Sequence, residues 1–211
     1  MAITLPSTLQ IDDDRAAIDA LRRYFGDPYL DSGRCYVGAY FDSWTTDGTA
    51  TDSDRFTPDD LISVTFLSVD VKPLAARELL ASRRDHYAEL LTQIGPDRDL
   101  TDERAPATPA WPAWRLDTEL RQLPGIGRTI ASKLLARKRP RLLPIWDSVI
   151  AAVLGTHDQH LEPVRIALRR NDRELDRRLR RIRADAGLPE YLSVLRTLDV
   201  ITWMDGKTRG F

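Results

Sequence analysis

The chain is poor in the residues that anchor special chemistry, with one cysteine and three histidines among 211 residues. Cys35 alone makes neither a disulfide framework nor a four-cysteine iron–sulfur cluster, and one thiol with three scattered histidines is thin material for zinc. No metal and no cofactor are expected. Long apolar runs are missing too: no window approaches eighteen apolar residues, so no membrane span is expected. The opening MAITLPSTLQIDDDR has neither the basic start nor the apolar core of a signal peptide, and a reducing cytoplasm is the expected setting. Strand signals are few, and repeats and low-complexity tracts are absent. Net charge is also almost lacking, at −1.

That small total conceals a split. Residues 111–211 hold 20 Lys+Arg against 12 Asp+Glu, a balance of +8, whereas residues 1–110 hold the remaining 11 and 20, a balance of −9. A basic half suits a DNA-facing surface, and it equally suits a surface against which the acidic half packs. A hydrophobic content of 42% is enough for one good core, or one core with a small annex.

The most informative stretch is Leu123 to Ile150, LPGIGRTIASKLLARKRPRLLPIWDSVI. Leu116, Leu120 and Leu123 before it, and Ile130, Leu134 and Leu135 within it, recur at helical steps on both sides of Gly125-Ile126-Gly127. A turn that reverses a helix in so few residues needs positive φ and room where a Cβ would stand, and glycine supplies both. Pro124 stops the first helix. The second helix then begins with unpaired N–H groups and a positive dipole end, an anion site made of backbone. Arg128, Lys133, Arg137, Lys138 and Arg139 lie along it and suit a phosphodiester backbone, so DNA is the expected partner. The alternative is a tight helical turn whose basic C-terminus complements the dipole.

These residues resemble the helix-hairpin-helix segment of the DNA-glycosylase superfamily related to endonuclease III. A divergent actinobacterial branch with the LLARKRPRL pattern followed by Pro and Asp, and with no assigned activity, is similar as well. The resemblance implies a helical glycosylase-like fold, with Gly125 and Gly127 as the hairpin glycines and Asp147 as the catalytic carboxylate at the mouth of a base pocket. Bifunctional members hold a lysine two residues after the second glycine. Thr129 stands there, which implies hydrolysis without lyase chemistry. LISVTFLSVDVKPLAARELL resembles that family's first buried helix, whose exit after leucine-serine lines the pocket.

The rest of the chain reads as helices around this stretch. Ile11 to Phe25 is a helix with Asp12 to Asp14 at its start and Gly26 at its end. Residues 27–57 are dense in aromatics, glycine and aspartate, with Cys35-Val37-Ala39-Phe41 extended or a strand. Tyr36, Tyr40 and Trp44 are pocket candidates that stack on a base, or else core and lid residues. Thr57 caps a buried helix from Pro58 through Val69, and a second runs from Leu74 towards Leu91. Asp70 is a pocket candidate, or simply the ion-pair partner of Lys72. Residues 95–114 carry four prolines and read as a linker, with Trp111 and Trp114 anchoring the next helix. Val149 to Leu154 is a helix ending at Gly155, His157 and His160 fall in an exposed connector, 164–183 is an arginine-rich helix, and Tyr191 to Trp203 closes the domain.

The expectation is one all-α domain over 1–211 with an irregular aromatic N-terminal insertion: helices and insertion over 11–94, linker 95–114, hairpin and aspartate 115–150, closing helices 151–211. The leading functional expectation is a DNA-binding protein, and with Asp147 a monofunctional N-glycosylase. A non-catalytic DNA-binding module and an enzyme on a nucleoside-like metabolite are the alternatives. A basic groove beside the hairpin favours DNA; a closed cavity around Asp147 and the aromatics favours the metabolite.

Overall fold

The computed structural model describes residues 2–30, 35–48 and 52–211, and the parts of the aromatic segment at 31–34 and 49–51 lie outside the described residues. Among the described residues the fold is all-α: α1 (Arg15–Tyr29), α2 (Pro58–Ser63), α3 (Pro73–Arg77), α4 (Arg84–Ile94), α5 (Pro112–Leu120), α6 (Arg128–Lys138), α7 (Ser148–Leu154), α8 (Leu161–Asp185) and α9 (Val194–Thr208). Residues from every one of these helices except α2 join a single buried apolar cluster. No helix among the described residues is long and apolar enough to cross a membrane.

Several boundaries depart from the sequence pattern for visible reasons. α1 starts only at Arg15, because Asp13 folds back onto Arg15 and Asp14 is drawn to Arg178 at 2.8 Å, leaving Ile11 exposed. It also continues through Gly26, whose carbonyl accepts from Leu30 N–H. In the aromatic segment the alternating run is no strand: Val37–Phe41 is a 3-10 turn, anchored by Tyr36 N–H to the Tyr24 carbonyl at 3.0 Å.

The helix that begins at Pro58, with the Asp60 carboxylate accepting from Thr57 N–H at 2.8 Å, tightens to a 3-10 turn at Val64–Leu67 and ends at Ser68, φ +61°. Of its apolar residues only Val64 is buried; Phe66, Leu67 and Val69 stay half-covered because they border a cavity. α3 passes through a π turn at Glu78–Ser82 before α4. The proline-rich stretch is tied down rather than loose, with Leu100 buried and its N–H on the Arg141 carbonyl at 2.9 Å. Trp111 packs against the core as expected, but Trp114 lies outside it at 41% exposure. α8 breaks at Arg170–Arg173, where three consecutive residues take positive φ, and α9 starts at Val194 under a Ser193 cap, leaving Tyr191 exposed.

Candidate functional site

The hairpin forms as its sequence requires. Ile126 is buried and donates to the Leu123 carbonyl at 3.1 Å, and Gly125 takes φ +79°. A Cβ on Gly125 would stand 2.7 Å from Lys72 Cγ, so both backbone angle and space demand glycine. Gly127 caps α6 in extended conformation, with nothing within 4 Å of where its Cβ would lie. The first helical bond of α6 runs from Ala131 N–H to Gly127, so the N–H groups of Arg128, Thr129 and Ile130 have no helical acceptor.

The basic flank does not form a phosphate track. Arg139 is fully buried and donates to the carbonyls of Gly95 and Ser53 (2.6 Å each), Leu91 and Lys138 (2.9 Å each) and to Asp54. Lys138 is buried on Asp60 and the Asp52 carbonyl. Arg137 holds the carbonyls of Phe41, Asp42 and Trp44. Lys133 is 5% exposed, with Nζ on the Leu67 carbonyl at 2.8 Å. Arg128 stacks over Trp146 at 4.3 Å and reaches the carbonyls of His157 and Asp158. The physical reason is that loop backbone packed against the C-terminal turns of α6 exposes carbonyls with no donors of their own, and long cationic side chains satisfy them. Much of the split in charge is likewise consumed internally: Arg139–Asp54, Lys138–Asp60, Arg141–Asp99, Arg178–Asp14 and Arg196–Asp42 each join the basic half to the acidic one.

What the structure brings together instead is a cavity of about 450 Å³ around Asp147. Ser132 on α6 bonds both the N–H and the carbonyl of Trp146 at 3.0 Å, fixing the turn that presents the next residue. Asp147 caps α7, Oδ1 accepting from Ile150 N–H at 2.9 Å. Thr129 and Lys133, one turn apart on α6, line the same space. Opposite them are Tyr36, Tyr24 and Trp203. Tyr36 stacks on Tyr24 with centroids 5.5 Å apart and meets Trp203 edge-on at 5.6 Å, and 44% of it remains exposed. Phe66, Leu67, Ser68 and Val69 form a third wall. Tyr40 and Trp44 do not line the cavity; they back Phe66 at 5.8 and 5.2 Å. Asp70 lies outside it, exposed and paired to Lys72 at 2.7 Å.

The cavity also takes in Arg196 and Asp199 of α9, which the sequence pattern does not single out. Their signal is an i,i+3 charge pair in the otherwise uncharged VLRTLDVITWM. Arg196 is buried and donates to Asp42 (2.8 Å), Asp199, Tyr24 Oη (3.0 Å) and the Gly38 carbonyl (2.8 Å), tying α9 to α1 and the aromatic segment. Burial works against its charge, yet Asp42, Tyr24 and Asp199 hold its pKa well above the ordinary value. Gly38 permits this approach, since a Cβ there would fall 2.1 Å from Tyr24 Oη. Burial lowers the Lys133 pKa against the pull of Asp147 and Asp199. The histidines play no part here: His157 is exposed, but His160 is buried on Thr156, and burial drops its pKa to about 4. No group of three or more His, Cys, Asp or Glu among the described residues is placed to hold a metal ion.

A family model described as "Family of unknown function (DUF6308)" matches residues 17–206. No curated protein and no solved structure matches the chain.

Proposed function

The chain belongs to the DUF6308 family, whose function is unknown, and we propose that it holds a nucleobase in the Asp147 cavity and hydrolyses the N-glycosidic bond joining that base to its sugar. One observation carries this reading: Asp147, at the end of the stretch that resembles the endonuclease-III-like hairpin, opens into a cavity walled by Tyr36, Tyr24 and Trp203 and by the Leu67–Ser68 exit. Aromatic faces hold a planar base by stacking. The Asp147 carboxylate, one oxygen engaged by Ile150 N–H, offers the other to the positive charge that develops at the anomeric carbon and to the attacking water.

Burial of Lys133, Arg137, Lys138 and Arg139 removes the cations that a duplex would need, and a cavity of this size favours a free nucleoside-like ligand as carrier of the base. Duplex DNA is the second reading, favoured by the open N-terminus of α6 at Gly127 and by the hairpin itself. A screen of nucleosides and of damaged-base oligonucleotides, read by chromatography of released base, divides the two. Base release from nucleosides is expected. Gly127→Val, which has space and an unstrained backbone, should leave that turnover unchanged; if DNA is the ligand, it should instead weaken duplex binding uniformly across sequences. Release from neither class sinks the glycosidic reading.

Lyase chemistry is not expected. Thr129 has no amine, and Lys133, which also lines the cavity, has its Nζ committed to the Leu67 carbonyl at 2.8 Å, although burial lowers its pKa. Borohydride reduction in the presence of abasic oligonucleotide should therefore trap no covalent adduct. An adduct mapping to Lys133 would move the reaction to an amine-dependent mechanism.

A further inference from the structure

The cavity contains a second carboxyl group that the reading above leaves unused. Asp199 lines it, only 8% exposed. Its Oδ2 accepts from Arg196 Nη1, whereas its Oδ1 is buried with no hydrogen-bond partner among the described residues. The neighbouring donors are engaged elsewhere, Arg196 Nε on Asp42, Arg196 Nη2 on Tyr24 and Gly38, and Lys133 Nζ on Leu67. A buried carboxyl oxygen left without a partner is costly, and a ligand group seated against this wall of the cavity would supply one.

We infer that Asp199 determines which ligand the cavity takes: its carboxyl donates a hydrogen bond to an acceptor on the edge of a planar nucleobase, a ring nitrogen or a carbonyl oxygen, while the ring lies against Tyr36 and Trp203. This rests on the reading of the cavity as a nucleobase pocket. A donor requires a protonated acid. Burial, opposed by Arg196 and helped by Asp147, pushes the Asp199 carboxyl up to about 7. The charged groups facing it are Arg196 on its own helix, Lys133 from α6 and Asp147 at the start of α7, with Asp42 and Tyr24 acting through Arg196. Because Oδ2 faces the guanidinium, the proton resides on Oδ1, the atom without a partner.

Asp199→Asn separates this role from a merely structural one. Arg196 Nη1 needs an acceptor, so the amide oxygen takes the place of Oδ2 and the NH2 group stands where the protonated Oδ1 stood. The variant is thus a donor at every pH. Calorimetric titrations of both proteins with adenine, cytosine, uracil and their nucleosides, from about pH 5.5 to about pH 8.5, read the difference. Wild-type affinity for the tightest probe should fall about tenfold per pH unit above roughly pH 7, as the acid loses its proton. Asp199→Asn should hold its low-pH affinity throughout and overtake the wild type on the alkaline side. Circular dichroism across the range checks that the fold is constant, and the wild-type profile alone decides the matter if the variant does not fold. A pH-independent wild type, or an Asn variant weakened at every pH, overturns the assignment of Asp199 while leaving the nucleobase pocket standing. No binding of any probe to the wild-type protein removes the pocket reading and this inference together.

Discussion

Asp147→Asn should melt close to the wild type and yet release base at a rate lower by about a hundredfold or more in single turnover. The cap made by this side chain does not depend on the charge that the proposed catalysis needs. Its Oδ1 accepts from Ile150 N–H at the start of α7, and an asparagine oxygen caps a helix about as well as a carboxylate. On the proposed function, what asparagine removes is the negative charge that would face the anomeric carbon, in the cavity lined by Tyr24, Trp203 and Val69. Asp147→Ala should lose the cap as well, at about 1 kcal/mol of stability. Melting curves for both variants, set beside turnover on the substrate found by the screen, make the comparison. An Asn variant that is both stable and fully active would show Asp147 to be a cap and nothing more.

The largest stability effect is expected at Arg139, a residue whose sequence neighbourhood suggests phosphate binding. Arg139→Met should destabilise the fold by roughly 3–5 kcal/mol, measured by urea denaturation, because it leaves four carbonyls facing a buried side chain that donates nothing, whereas the half-exposed Asp54 carboxylate turns to water. Arg121→Met is the matching control. Arg121 is half-exposed and paired to Asp117 one turn away at 3.3 Å, and its loss should cost about 0.5 kcal/mol or less. Equal effects at the two sites would mean that the buried hydrogen bonds of Arg139 contribute nothing beyond a surface ion pair.

Local signals carried much of the fold. The spacing of Leu116, Leu120 and Leu123, the Gly125 turn, the Thr57-Pro58 start, the Asp147 cap and the Gly155 stop each rest on interactions within a few residues, and each stands where the pattern put it. That Asp147 and Tyr36 share a cavity has no such local basis, since distant segments of the chain supply them and only packing brings them together. The destination of a long cationic side chain has no such local rule. Lys133, Arg137, Lys138 and Arg139 read identically whether they face water or the core, and here their fate is set by loop carbonyls more than forty residues away in sequence. The same holds for Arg196 and Asp199, an ordinary i,i+3 pair until Asp42, Tyr24 and Gly38 close over it. Periodicity and capping are properties of a helix alone; burial, and with it the pKa of Asp199 and the loss of a phosphate track, belongs to the partners that distant segments bring.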